Sequence, residues 1–401
     1  MIATEAHKES EDKAISPQSA YIHIPFCTHK CEFCDFAAFA GLIELEDEYC
    51  QILAGEIESR LTQQKLQGEV NISLKTVFYG GGTPGLIKPS NIAMIHQRLL
   101  QFAPLQKPQF GPVEIAMETT PHAITAQKAE EWLEIGINRL SIGIESLCDA
   151  ELTAIGRDHS VAEAIAGVKL AHRAGFESIS IDFMYGLPTQ TMTSWQTTID
   201  AALELTQECP SIKHISAYGL EIAKNSPLLS RFPRDSSSYP SDDLCVEMYE
   251  SLVSKLEQNG FGQYEVSNFA KPGHQSQHNL TYWRNAPYFA FGVGAHRYVD
   301  GVRSANFRSL KKYMRHPLND EVSEVIDSAT RIKEGIMLGL RLIEGIDLKQ
   351  FEQDYKSDLL ALQGPEIEYL CEQGLLELSD GKLKITRRGI PISNSIIGRL
   401  I

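Results

Sequence analysis

Between Tyr21 and Tyr218 the chain alternates six times between a short apolar run and a helix-length amphipathic stretch. No other feature narrows the fold as much. The apolar runs are Tyr21–Pro25, Thr76–Tyr79, Val113–Met117, Arg139–Gly143, Ser178–Phe183 and His214–Tyr218. Between them lie Asp47–Lys65, Asn91–Gln101, Ala123–Glu134, Val161–Arg173 and Thr193–Leu205. Strands that alternate with helices are joined by crossovers, so the sheet runs parallel and the helices cover it. Six such units fill roughly residues 18–220. That is short of the eight units of a closed barrel. The expected class is α/β, a layer or a barrel of six β/α units.

Polar and glycine residues follow the strands rather than the helices. Gly80-Gly81-Gly82-Thr83-Pro84 follows the second run, Glu118 the third, Glu145 the fourth, and Asp182 with Tyr185-Gly186-Leu187-Pro188 the fifth. In parallel α/β barrels the carboxyl ends of the strands carry the chemistry, so these residues are expected at one mouth. The loop after the first strand joins them. It holds Cys27, Cys31 and Cys34 in a C-x3-C-x2-C spacing. Three thiolates hold three corners of a four-iron cluster and leave one iron open, whereas a cluster used for electron transfer takes four cysteines. A structural zinc site wants four ligands, often as two CxxC pairs, and no second pair is present. Cys50, Cys148, Cys209, Cys245 and Cys371 are isolated and read as small apolar packing residues.

Bulk properties set the remaining bounds. A chain of 401 residues has room for two or three domains. Its 43% hydrophobic and 22% charged residues are ordinary for a globular protein. A net charge of −15 repels nucleic acid, so no nucleic-acid partner is expected. No apolar run reaches the ~20 residues of a membrane span. Met1–Pro17 reads as a frayed tail without an export signal, and reduced cysteines fit the cytoplasm. The expected domains are a tail over 1–17, a barrel over 18–225, an extension over 226–308, and a mostly helical, winged-helix-like domain over 309–401. The last rests on the order helix (Pro365–Gln373), hairpin (Leu375–Leu378, Lys382–Ile385), helix (Ile390–Leu400). Residues 365–401 carry as many acidic as basic residues, so this module reads as packing or docking rather than DNA-binding.

The cysteine spacing together with the glycine run resembles the radical S-adenosylmethionine (SAM) proteins. Almost end to end the chain is similar to their coproporphyrinogen-dehydrogenase branch. The resemblance implies a six-unit partial barrel, a 4Fe-4S cluster on Cys27, Cys31 and Cys34, and SAM on its open iron. Carried over by motif, the SAM contacts are Tyr21, Gly82, Thr83, Glu118, Glu145, Arg157 and Asp182. Members of the branch commonly have Gln where Glu145 stands. Arg157 suits a carboxylate because its fork pairs with two oxygens. Asp182 is a charge inside an apolar strand and needs a partner, a ligand or an arginine.

Porphyrinogen-oxidising members carry a fourth cysteine two residues after the third, where this chain has Phe36. With His278-Asn279-Leu280-Thr281-Tyr282-Trp283, an HNxxYW motif, the chain resembles the haem chaperone subgroup. That implies haem binding, with His278 as the haem-contacting residue or axial ligand and His274 and His296 as further candidates. It also implies delivery to client haem proteins, membrane respiratory enzymes among the candidates, without coproporphyrinogen dehydrogenase activity and with no catalytic residue of its own. A homodimer is expected by analogy. The competing readings are a coproporphyrinogen III dehydrogenase and a radical SAM methyltransferase.

Overall fold

The computed structural model describes residues 16–66, 68, 72–224 and 226–401. Most of the expected tail, and Asn225 at the end of the expected barrel, lie outside the described residues. Six parallel strands form the sheet predicted from the alternation: β1 (Ser19–Ile24), β2 (Thr76–Gly81), β3 (Glu114–Thr119), β4 (Arg139–Glu145), β5 (Ser178–Tyr185) and β6 (Ile212–Gly219). Both faces are covered, so Ile179, Ile181, Phe183, Ile212 and Ile215 are all buried, as parallel strands require.

Three further strands widen the sheet. β7 (Gly262–Glu265) and β8 (Asn268–Ala270) form a hairpin that adds antiparallel to β6, pairing Phe269 with Ile215. β9 (Phe289–Phe291) runs parallel to β1, pairing Ala290 with Tyr21. The order is β9-β1-β2-β3-β4-β5-β6-β8-β7, an open nine-stranded sheet. These strands are only three or four residues long, too short to show a period of two.

The helices begin where the sequence supplies caps. Ser160 and Glu163 make a reciprocal capping box for Val161–Ala174, and Thr191 and Ser194 do so for Met192–Glu208. Gly136 and Gly175 end Ala126–Ile135 and Val161–Ala174 in the left-handed conformation. One buried carboxylate locks the first helix, Glu46–Leu66, to the late part of the chain. Glu56 accepts from Gly292 N–H (2.9 Å), Asn306 Nδ2 (2.7 Å), Tyr313 Oη (2.7 Å) and Arg60 Nε (2.9 Å).

After β9 comes a three-stranded antiparallel sheet of His296–Val299, Val302–Asn306 and Asp320–Val325. Helices Ser328–Gly339, Leu348–Tyr355 and Leu359–Glu372 follow, then the hairpin Leu376–Ser379 and Lys382–Ile385, then Ser393–Leu400. The helix, hairpin, helix order of the sequence reading is present. Its first helix starts at Leu359, capped by Asp358, with Pro365 inside rather than at the start. Asp320–Val325, in a stretch read as helical, is a strand; five of its six residues are exposed, so no buried face marked it. No described helix is long and apolar enough to cross a membrane.

Candidate functional site

At the carboxyl ends of β1–β6 lies a cavity of about 1280 Å³. It is lined by the three cysteines, Gly82, Thr83, Glu118, Glu145, Arg157 and Asp182, and on its far side by Tyr218, Tyr282, Trp283 and Arg341. The strand-end residues singled out in the sequence therefore largely share one space; Gly80, Pro84, Gly186, Leu187 and Pro188 do not line it, nor do Tyr21 and His278.

The cysteine loop is fixed by its backbone. Cys34 N–H donates to Cys31 O (3.1 Å), Glu32 N–H donates to Ile155 O (3.4 Å), and Glu32 pairs with Arg231 (2.9 Å). All three thiols are free and half-buried. Burial pushes the Cys27 thiol up to about 11, and Cys31 and Cys34 upward as well. Such thiols stay protonated at neutral pH unless a metal displaces the proton. Arg157 opposes that rise at Cys31. Its Nη1 lies 3.1 Å from Cys31 Sγ, its Nη2 donates to Gly143 O at 2.6 Å, and Glu145 Oε1 stands 3.8 Å away. Three thiols on one loop, a cation beside them and a large adjoining cavity fit a three-cysteine iron–sulfur cluster with an exchangeable fourth position.

The glycine loop packs tightly against β1. A Cβ on Gly82 would meet Phe26 O at 2.7 Å and Pro25 C at 2.8 Å, and Gly81 has φ +118°. The Gly82 N–H donates to Ile24 O (2.8 Å), the Thr83 N–H to Phe26 O (2.8 Å) and the Gly81 N–H to Glu118 Oε2 (3.0 Å). All three donors are thus engaged within the chain. What the loop offers a ligand is carbonyl oxygen, which suits an ammonium and not a carboxylate.

The three carboxylates repel one another inside the cavity. Burial, with Asp182 and Glu145 nearby, raises Glu118 to about 7 against the Gly81 N–H bond. Burial raises Glu145, opposed by Arg157. Burial also raises Asp182, opposed by hydroxyls: Ser141 Oγ donates to it at 2.6 Å and Ser180 Oγ at 2.8 Å. The partner expected for Asp182 is a ligand or an arginine; within the chain its hydrogen-bond partners are serines, and Arg139 acts on it through its charge. Glu145 owes its position to a break in strand register between Gly143 and Glu145 and to a left-handed backbone, φ 68°. Non-glycine residues avoid that region, and such strain gathers at functional sites.

Tyr21 and His278 lie beneath the cavity. Tyr21 Oη meets His23 Nδ1 (3.1 Å) and its ring stacks on Phe78. His278 is 1% exposed. Its Nδ1 meets Thr76 Oγ1 at 2.8 Å and its Nε2 meets Tyr282 Oη at 2.8 Å. The ring stacks on Phe78 with centroids 5.0 Å apart, and burial lowers it to about 3. Both nitrogens are thus occupied, so in this conformation His278 offers iron no ligand atom. His274 and His296 do not line the cavity either. Asn279, Tyr282 and Trp283 of the same motif do.

On the far side the sequence singled out Trp283 but not Glu265 or Asn268. Glu265 Oε1, Asn268 Oδ1 and Trp283 Nε1 line that side and are buried without a hydrogen-bond partner among the described residues. The signal was an acid flanked by Tyr264 and Val266, and burial drives Glu265 up to about 7. Such groups mark space for a polar ligand.

Comparison with known proteins agrees with this geometry. Residues 21–202 match the model of the Radical SAM superfamily, and residues 326–392 match that of the HemN C-terminal domain. "Heme chaperone HemW" of Bacillus subtilis is 34% identical over 96% of this chain and 99% of its own. The protein of that description from Escherichia coli is 34% identical over 90% of this chain and 88% of its own. Among solved structures, coproporphyrinogen III oxidase (HemN) from Escherichia coli, a radical SAM enzyme, superimposes with a TM-score of 0.80 over 96% of this chain and 90% of that one, at 21% identity. The chain belongs to the HemW family of radical SAM proteins.

Proposed function

We infer that this protein is a haem chaperone, binding haem and handing it to client haem proteins, with a 4Fe-4S cluster and SAM as resident cofactors. The observation that carries this is likeness over 96% of the chain to a protein described as a heme chaperone. The local chemistry supports it. Phe36, 66% exposed, lines the cavity where a fourth cysteine would stand in the porphyrinogen-oxidising branch.

In this reading Cys27, Cys31 and Cys34 hold the cluster. When bound, the cluster supplies an iron open to the amino and carboxylate groups of SAM. Glu118 and the carbonyls of the glycine loop receive the ammonium. Arg157 both offsets the charge at Cys31 and pairs with the carboxylate. Glu145 and Asp182 accept from ribose hydroxyls. Gly82 and Thr83 shape the loop, and Tyr21 supports it from below.

A pocket for one small ligand is commonly about 300–1,000 Å³. The cavity here is about 1280 Å³, and besides Arg157 Nε next to Cys31 its unspent polar groups include Glu265, Asn268 and Trp283 on the far side. That supports a second occupant. We assign the haem-facing role to Tyr282 and Trp283, and we make His278 the group that holds Tyr282 in place. The domain division at residues 225 and 308, cytoplasmic residence, delivery to membrane respiratory enzymes and a homodimeric form belong to this proposal too. Fractionation, co-purification and sedimentation test the last three.

The test is anaerobic reconstitution, haem titration and a coproporphyrinogen assay on one sample. A Soret band without protoporphyrinogen is expected. Protoporphyrinogen formation with no Soret band overturns the reading and restores the dehydrogenase.

A further inference from the structure

Outside the carboxylate and cysteine cluster, one group of side chains has the donor set of a metal site. His122, Asp158 and His159 each present one ligand atom, and these atoms all lie within 4.8 Å of one another. His122 sits in the turn Pro121–Ala123 after β3, and Asp158 and His159 sit in the turn before Val161–Ala174. The sequence reading passed over them.

We infer that His122, Asp158 and His159 form a binding site for a divalent first-row transition metal at the rim of the cysteine loop. His159 makes the strongest case. It is 5% exposed, and its Nε2 is 3.1 Å from Ile144 O. A carbonyl only accepts, so the proton sits on Nε2 and Nδ1 carries a lone pair. That Nδ1 is buried with no partner among the described residues. An unsatisfied buried polar atom costs about 1–3 kcal/mol, a penalty a metal ion would remove.

The other two ligands are oriented in the same manner. Asp158 Oδ2 accepts from Thr28 Oγ1 at 2.6 Å, which leaves Oδ1 for a metal. His122 Nε2 lies 3.3 Å from Thr120 Oγ1 and 3.5 Å from Thr28 Oγ1, while its Nδ1 is 3.5 Å from Asp158 Oδ1. Each ligand is therefore held through its far atom, the outer-shell pattern that aims metal ligands. Two imidazoles and a carboxylate suit zinc, iron or cobalt; magnesium and calcium prefer oxygen throughout. A tetrahedral site with ~2.0–2.1 Å bonds brings ligand atoms to roughly 3.3 Å. His122 and Asp158, with side chains 26% and 32% exposed, have the freedom to close that distance.

The site would couple to the cluster loop from two sides. Thr28 follows Cys27 in the chain, and Arg157, which reaches Cys31 Sγ, precedes Asp158. A bound metal fixes both turns and stiffens the loop that carries the thiols.

The experiment is zinc titration of anaerobic, cluster-loaded protein, followed by dialysis and metal analysis. Full-length Cys27→Ser/Cys31→Ser/Cys34→Ser is measured beside it to exclude zinc on thiolates. Both forms are expected to retain about one zinc per chain at this three-ligand site. In either form His122→Ala, a change at an exposed side chain, is expected to weaken zinc binding about 100-fold or more. Cobalt in the triple-serine form is expected to show ligation by nitrogen and oxygen, without thiolate charge-transfer bands. Zinc binding unchanged by His122→Ala, or no zinc retained by the triple-serine form and none beyond the cluster metal in the loaded protein, overturns the inference.

Discussion

Glu118→Gln probes the electrostatics of the cavity most sharply. Burial first, then Asp182 and Glu145, raise this carboxyl from the usual 4.5 to about 7, against the Gly81 N–H bond. The folded chain therefore holds the proton more tightly than the unfolded chain. Stability from this group is full below the unfolded value and is lost as pH rises through about 7. At about 1.4 kcal/mol per tenfold, the whole effect is about 3 kcal/mol, trimmed to about 2 by the solvent that reaches a half-buried group. Gln carries no charge at any pH and can still accept from Gly81. Urea unfolding of the cluster-free chain between about pH 5 and pH 8 is the assay. The wild type should lose about 2 kcal/mol relative to Glu118→Gln across that window. In cluster-loaded protein the ammonium of SAM should stabilise the ionised carboxylate and flatten the difference. Parallel pH curves for the two chains would refute the reasoning, and an unchanged slope with SAM would remove Glu118 from the ammonium site.

Arg157→Lys keeps the charge but loses the fork that reaches both Cys31 Sγ and Gly143 O. SAM affinity by equilibrium dialysis should fall about tenfold or more, from one lost charge-assisted bond. Gly82→Ala drives a Cβ into Phe26 O and Pro25 C, both backbone, and should destabilise by about 1–3 kcal/mol while lowering iron per chain after reconstitution. His278→Phe keeps the stack on Phe78 but strips partners from Thr76 and Tyr282. Stability should drop by about 1–3 kcal/mol with the Soret position unmoved; a shifted Soret band would make His278 an iron ligand after all.

The sequence revealed the barrel because each parallel strand is long and buried on both faces. The run Ser178–Phe183 became Ser178–Tyr185, and Thr76–Tyr79 became Thr76–Gly81. The added residues, Gly80, Gly81, Met184 and Tyr185, lie at strand ends, where pairing continues beyond the apolar run. β7, β8 and β9 were not legible. Three residues such as Phe289–Phe291 show no period, and their pairing with β1 or β6 is a long-range fact. The site was legible where chemistry demands charge in apolar surroundings, as at Asp182 and Arg157. At Glu145 the residue was legible, but its aim, which depends on a bulge, was not. His278 shows the opposite case. Its residue type suggested a ligand, yet the fold spends both nitrogens on Thr76 and Tyr282.

Everything assigned to the cavity presupposes an iron that the protein leaves without a side-chain ligand. The direct measurement is electron paramagnetic resonance of the anaerobically reconstituted, reduced protein before and after SAM, with iron and sulfide counted on the same sample. The expected result is roughly four irons and four sulfides per chain and a cluster signal that changes when SAM is added. Zinc in place of iron, or a cluster signal indifferent to SAM, would contradict it.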